Sequence, residues 1–378
     1  MDPLDPTPDA QTPRSIDRLR AQDLPVAFAA FRLTGLLGEG GMARVFRAER
    51  LGRDGSRQVL ALKVLRRDVG GPVEQVLRAL KAEARLGRAL QHANIVRTYD
   101  IDSVQGRPCI ALELVDGVTL HRLVRDGDCL TAEQIIGVGV QIAGALHAAH
   151  NTLVDGLPLG LVHRDLKPAN VMLDRRGRVK LMDFGVAKAA QSGWNGATTE
   201  RGRVKGTPVY MAPEQARGLA VDGRTDLFAL GAILYELFSG QRLFEGRSIP
   251  SVLARVMCVE PLLERDSAFQ RMRRAHPGLA AVVASCLRLR PQDRPDGALQ
   301  VAQALARLPA DAAVGRVLAA RVRELLGRDP AETPTRRMPS CGGAQPPPET
   351  AQAPLRLEPI DSANPPPAPL RTACPLNR

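Results

Sequence analysis

A chain of 378 residues suits one large domain with extended ends, or two ordinary domains. Its 44% apolar content fits a globular core, but aromatics are only 3%, so Leu, Val and Ala must fill that core. The net charge of +12 rests almost wholly on arginine; with no aromatic-interleaved basic patch, zinc-finger spacing or basic tail, it predicts a scattered basic surface and no nucleic-acid partner.

Residues 1–30 are rich in proline and aspartate and predict a flexible lead. The apolar run Leu24 to Phe31 at its end is able to pack on the adjoining folded region. The opening Met1-Asp2-Pro3 is acidic and predicts no secretory leader. Next comes Leu37-Gly38-Glu39-Gly40-Gly41-Met42-Ala43-Arg44-Val45. Gly38 and Gly40 permit a tight turn between strands and bring backbone N–H groups close to an anion. An alternating apolar run, Val59 to Val64, predicts a strand carrying Ala61 and Lys63. Gln75 to Leu90 reads as a helix bearing Glu83 and, four residues on, Gly87. His92-Ala93-Asn94-Ile95-Val96 comes after it, and Cys109 to Gly117 predicts a strand ending in a glycine turn.

Ile135 to Ala149 is the longest apolar run. Gln141 and His147 interrupt it, so it predicts a buried helix and not a membrane span. Asn151 to Gly160 contains Asp-Gly and Leu-Pro steps and predicts a turn or hairpin at the surface. Then come His163-Arg164-Asp165-Leu166-Lys167-Pro168-Ala169-Asn170 and, thirteen residues after that Asn, Asp183-Phe184-Gly185. Phosphoryl transfer needs such a set near one point: a carboxylate for a hydroxyl, a lysine for a moving phosphate, an amide and a second carboxylate for a metal. Further on lie Gly206 to Glu214, the apolar stretch opened by Thr225-Asp226, and Arg294 in Pro291-Gln292-Asp293-Arg294-Pro295.

Taken in order, these motifs resemble the eukaryotic-type (Hanks-type) protein serine/threonine kinases, in their bacterial form. The resemblance covers about Phe31 to Leu308. It implies an α+β, bilobal protein-kinase fold: a small antiparallel β lobe with one key helix over residues 31–116, and a larger, mainly α-helical lobe over 117–308. It implies ATP as phosphate donor and magnesium, with manganese as an alternative. Leu37, Gly38, Glu39, Gly40 and Gly41 would cover the phosphates. Ala43 replaces the usual third glycine. Val45, Ala61 and Met172 would enclose the adenine, Leu112 would stand as gatekeeper, and Glu113 and Val115 would offer backbone groups to the adenine edge. Lys63, held by Glu83, would take the α/β-phosphates. Asp165 would orient the accepting hydroxyl and Lys167 the γ-phosphate, while Asn170 and Asp183 would hold metal. Arg164 would read a phosphate on the activation segment, with Thr198 and Thr199 as the autophosphorylated pair. Thr207 would bridge Asp165 and Lys167. Glu214 with Arg294, and Asp226 with the catalytic loop, would be structural. Gly87 stands where the family usually has an apolar side chain, so a loosely held helix and low resting activity are expected.

Beyond the kinase region, Ala312 to Leu326 places Val314, Val317, Leu318, Val322, Leu325 and Leu326 on one helical stripe. This amphipathic helix, assigned to 309–328, has two readings: docking on the large lobe or pairing with another chain. Thirteen prolines among residues 329–378 predict a disordered, partly polyproline-II tail. The six cysteines lack Cys-x-x-Cys pairing and read as reduced thiols of a cytoplasmic protein. Protein substrates with Ser or Thr are the implied partners; a homodimer and a partner for the proline-rich tail stay open. The alternative function is a pseudokinase-like binding scaffold, which the intact polar set disfavours. A small-molecule kinase is disfavoured by Gly206 to Glu214, a stretch that resembles a peptide-binding platform.

Overall fold

The structure is a computed structural model. It describes residues 16–40, 43–51, 56–66, 90–104, 106–126, 129–154, 156–184, 208–310 and 313–327. Gly41, Glu83, Gly87, Thr198, Thr199, Thr207 and the proline-rich tail lie outside the described residues.

Six antiparallel strands build the small lobe: β1 (Val26–Phe28), β2 (Phe31–Glu39), β3 (Ala43–Leu51), β4 (Arg57–Leu65), β5 (Thr98–Val104) and β6 (Arg107–Leu112), in the order β1-β2-β3-β4-β6-β5. Side chains alternate across the sheet. Leu33, Phe46, Ala48, Leu60, Leu62 and Val64 are buried on one face. Ala43, Leu65, Ile101 and Ile110 form a second cluster.

The flexible lead expected over residues 1–30 is corrected from Ile16 onward. Two short 3₁₀ turns, Ile16–Arg18 and Ala21–Asp23, precede β1. Ile16 and Leu19 are buried against Phe28, Leu33 and Phe46, and Asp17 forms an ion pair with buried Arg107. Polar composition misleads here, because two apolar residues three apart suffice to close the lobe's outer face.

The large lobe opens with β7 (Gly117–Thr119), α1 (Leu120–Asp126) and α2 (Ala132–His150). Thr131 caps α2 by accepting a hydrogen bond from the Gln134 N–H, and the Gln134 side chain accepts one from the Thr131 N–H. The helix buries Ile135, Val138, Ile142 and Leu146 completely. The hairpin β8 (Leu153–Val154) and β9 (Leu157–Pro158) comes next, with Leu153 and Leu157 exposed. Strands β10 (Val171–Asp174) and β11 (Val179–Leu181) join β7 in a sheet ordered β11-β10-β7. Then come α3 (Pro213–Ala216), α4 (Gly223–Ser239), α5 (Ile249–Met257), α6 (Val259–Arg265), α7 (Ser267–Ala275), α8 (Pro277–Cys286), α9 (Ala298–Ala306) and α10 (Val314–Gly327). Helix α4 is almost entirely buried, which explains its apolar sequence on every side.

Helix α10 packs on the large lobe, burying Leu318, Ala319, Val322 and Leu325. Val317, expected on the buried stripe, is 42% exposed. Arg122 donates to the Leu325 carbonyl at 2.8 Å and Arg321 to the Cys129 carbonyl at 3.2 Å. Gly177 turns β10 into β11 at φ +75°, and an added Cβ would lie 2.3 Å from the Gly315 carbonyl oxygen. Gly177→Ala is therefore expected to cost about 1–3 kcal/mol through backbone strain, with the clash displacing α10. Urea denaturation and faster proteolysis near residue 313 would register it.

Cys109, Cys258 and Cys286 are outside any disulfide, as expected of them. Among the described residues no helix is long and apolar enough to cross a membrane.

Candidate active site

The lobes meet at a cleft of about 610 Å³. Leu37, Gly38, Val45 and Ala61 line it from the small lobe, and Met172 lines it from β10. Leu112, Glu113, Leu114 and Val115 form the connecting wall. The Glu113 N–H already donates to the Arg97 carbonyl at 2.8 Å, so of its backbone groups only the carbonyl is left for a ligand. Its carboxylate is held at 2.6 Å by the Lys180 ammonium and accepts from the Arg97 N–H at 3.1 Å. The wall is thus fixed from its far side before any ligand arrives.

Two polar clusters lie on separate elements, and of their residues Lys63 and Asp183 line the cleft whereas Asp165, Lys167 and Asn170 are not among its lining residues. Lys63, on β4, places Nζ 2.5 Å from Asp183 Oδ1. Its expected partner Glu83 lies outside the described residues; Asp183 is the partner the structure describes. The Lys167 ammonium sits 2.9 Å from Asp165 Oδ2. Asn170, on the 3₁₀ turn Pro168–Asn170, donates through Nδ2 to the Asp165 carbonyl at 2.9 Å and to Asp165 Oδ2 at 3.3 Å. The amide nitrogen is thereby committed, and Asn170 Oδ1 remains as its acceptor. Asp183 has φ +56° and Arg164 φ +63°, conformations that side chains other than glycine adopt at a cost.

Buried groups hold this strained loop. Asp226, 1% exposed near the start of α4, accepts the backbone N–H groups of His163 at 2.8 Å and Arg164 at 2.9 Å. His163 accepts at Nδ1 from the Asp165 N–H, which leaves Nε2–H to donate to the Met182 carbonyl at 2.9 Å. The imidazole lies 4.7 Å from the Phe184 ring. One side chain therefore ties the Asp165 loop to the residue preceding Asp183. Gln215, on α3, donates to the Arg164 carbonyl at 2.9 Å.

Behind the loop, Glu214 and Arg294 form a two-pronged pair at 2.7 and 2.8 Å, with side chains 3% and 0% exposed. The Thr225 hydroxyl donates to the same carboxylate at 2.7 Å, and the guanidinium stacks over Phe228 at 4.9 Å. Burial alone would push the Glu214 carboxyl up; the Arg294 hydrogen bonds and charge outweigh it and hold the carboxyl below its usual range.

Three positioning contacts are not visible in the sequence. Lys180 braces Glu113, His150 adds its Nε2 to Asp226 Oδ2 at 2.8 Å, and Arg44 anchors the N-terminal segment. Lysine scarcity is the one sequence signal for Lys180. A histidine in the last turn of α2 is the signal for His150.

The donor set fits a divalent cation and nucleotide phosphates. Asn170 and Asp183 supply hard oxygens, and Lys63 and Lys167 supply ammonium groups for anionic oxygens. No cluster of three or more His, Cys, Asp or Glu side chains suited to a metal occurs among the described residues, so phosphate and water oxygens would complete the coordination.

A β lobe and a helical lobe around such a cleft define the protein-kinase fold. Residues 31–306 match the family described as the protein kinase domain. The serine/threonine-protein kinase pkn3 of Myxococcus xanthus is 36% identical over 277 residues, covering 71% of this chain and 48% of pkn3. PknB of Mycobacterium tuberculosis, also named a serine/threonine-protein kinase, is 36% identical over 288 residues, covering 74% of this chain and 42% of PknB. The crystal structure of the M. tuberculosis PknI kinase domain aligns with TM-score 0.54 at 26% identity, over 76% of this chain and 98% of that domain. The chain belongs to the protein kinase family, whose members generally use ATP and a divalent metal. It spans less than half the length of these two curated relatives.

Proposed function

We propose that this chain is a protein serine/threonine kinase that transfers the γ-phosphate of Mg-ATP to protein hydroxyls, and that it phosphorylates its own activation segment. The observation that supports this reading is a pair of polar clusters on adjoining chain segments: Lys63 against Asp183 in the cleft lining, and Lys167 and Asn170 against Asp165 on the loop that His163 and Asn170 tie to Met182.

Magnesium, held by Asn170 and Asp183, neutralises charge on the phosphates when bound, and manganese suits the same oxygens. Leu37, Gly38, Glu39, Gly40 and Gly41 cover the phosphates, and Val45, Ala61 and Met172 enclose the adenine. The Glu113 carbonyl and the Val115 backbone read its edge. Lys63, which touches Asp183 in the structure described, takes the α/β-phosphates, with Glu83 as its second partner. Asp165 accepts the hydrogen bond of the substrate hydroxyl and receives its proton. Lys167 steadies the transferring phosphoryl group from beside that carboxylate. The transition state is loose, so alignment counts for more than base strength. Arg164 receives the phosphate of a modified Thr198 or Thr199, and Thr207 bridges Asp165 and Lys167. Use of ATP fits a cytoplasmic setting.

Intact-mass measurement and phosphosite mapping after incubation with Mg-ATP test the proposal, beside an Asp165→Asn control. Phosphate on Thr198 or Thr199 in the wild type alone is the expected result. Bound nucleotide with no phosphate gained on the chain or on a generic protein substrate would instead favour a binding scaffold.

A further inference from the structure

The small lobe buries a cation that the proposed reaction does not use. Arg44 stands between Ala43 and Val45 at the start of β3. Val45 lines the cleft. By strand alternation Arg44 turns to the opposite face, the one it shares with Phe46 and Ala48. It is 4% exposed. Its Nη1 donates to the Ile16 carbonyl and its Nη2 to the Leu19 carbonyl, each at 2.5 Å. Glu39, its cross-strand partner on β2, lies 3.6 Å from the guanidinium and also pairs with Arg66 at 2.7 Å. A single side chain therefore joins the end of β2, the start of β3 and the N-terminal segment.

That segment has its own anchors. Ile16 and Leu19 are each 6% exposed, Asp17 pairs with Arg107, and β1 adds to the sheet edge through Val26 opposite Leu33. The segment itself precedes residue 31, where the match to the protein kinase family begins. The ladder beneath is irregular. Register shifts fall between Leu33 and Gly35 and between Leu36 and Gly38, so regular pairing holds β2 less firmly as it approaches the glycine-rich turn. If the Ile16 and Leu19 carbonyls left, Arg44 would keep a buried charge with its best acceptors gone. It would turn toward water, and the base of the glycine-rich turn would shift with it.

We infer that Arg44 is a positioning residue for the nucleotide, and that the segment 16–28 is the clamp that makes it one. Clamp and loop act together: the carbonyls of Ile16 and Leu19 fix the guanidinium, the guanidinium fixes Ala43 to Val45, and Val45 meets the ligand. The inference rests on the nucleotide-binding reading above.

A double-mutant cycle on the affinity of a fluorescent ATP analogue tests it, using Arg44→Met, deletion of residues 1–19, and both together. Each single change is expected to weaken binding about tenfold, the scale of losing hydrogen bonds to a charged group. The combined variant should match the single ones, because both break one linkage. Arg44→Lys should recover part of the affinity, and the KM for a peptide substrate at saturating ATP should stay at the wild-type value. Thermal melting identifies variants that fail to fold, and Arg44→Lys with Arg44→Gln keeps the test open if the deletion is one of them. Multiplying effects, near a hundredfold in the combined variant, would overturn the inference, since the two parts would then act separately. Unchanged affinity in folded variants would overturn it as well. A wild type that binds no ATP analogue would overturn the kinase reading itself, a result distinct from either.

Discussion

Asp165→Asn is expected to lower kcat by about 10²–10⁴-fold while leaving ATP binding nearly intact. The structure gives the reason in the two carboxylate oxygens. Oδ2 receives Lys167 and Asn170, at 2.9 and 3.3 Å. Oδ1 is then the oxygen left for a substrate hydroxyl. An amide at this position has one oxygen to serve both tasks. If that oxygen stays with Lys167, an NH₂ faces the hydroxyl and offers a proton where one must be accepted. If it turns to the hydroxyl, the NH₂ faces the Lys167 ammonium and the lysine is repelled. Either way one partner of the transfer is misaligned, and transfer through a loose transition state depends on alignment. The cleft-lining residues Val45, Ala61 and Met172 stay as they are, so the loss is expected in kcat. Steady-state kinetics with a peptide substrate and equilibrium binding of an ATP analogue separate the two quantities. Equal losses in binding and in kcat would show that Asp165 shapes the cleft instead.

Much of the fold was legible in the chain because the motifs that carry the family resemblance fall at short sequence spacings. Asp165, Lys167 and Asn170 fall within six residues, and the turn that carries them can fold only a few ways. The strand bearing Lys63 was readable from alternation, and α2 and α4 from apolar runs too long for strands. What escaped were contacts made by chain crossing in space. Nothing in the residues around Lys180 says that it will reach the Glu113 carboxylate, because their pairing depends on β11 passing behind the link between the lobes. The N-terminal clamp escaped for a different reason. Ile16 and Leu19 lie in a three-residue turn and its neighbour, too short to show a period, within a stretch whose composition argues for disorder. Its cause is visible only from the other side, in an arginine that a strand buries on its apolar face. Val317 shows the opposite error: a stripe drawn at helical spacing was one residue too wide, since α10 meets the large lobe along Leu318, Val322 and Leu325.

Removing Arg294 should produce the largest loss of stability in the large lobe. Arg294→Met is expected to cost about 3–5 kcal/mol at neutral pH, the penalty for leaving a buried charge without its partner. Glu214 would keep its Thr225 hydroxyl but lose two charge-assisted hydrogen bonds. The carbonyls of Arg288, Arg224 and Leu289, which Arg294 also satisfies, would lose donors too. The pH dependence gives the test its sign. In the wild type the Glu214 carboxyl is held below its usual range. A carboxylate so depressed contributes stability that is fully present above its unfolded pKa and is lost as the pH falls through the folded value. In Arg294→Met the burial remains and the cation does not, so the carboxyl rises above its usual range and its protonation relieves the strain. Acidification from about pH 7 to about pH 5 should therefore narrow the gap between variant and wild type, in the window where a raised carboxyl takes up its proton. Urea denaturation at both pH values measures the gap directly. The paired replacement Glu214→Leu with Arg294→Met removes both charges, and its loss should fall short of that of Arg294→Met alone. A gap that stays constant with pH would mean that Glu214 remains charged without Arg294, and that the bonds from Arg294 to the carbonyls, not the ion pair, hold this part of the lobe.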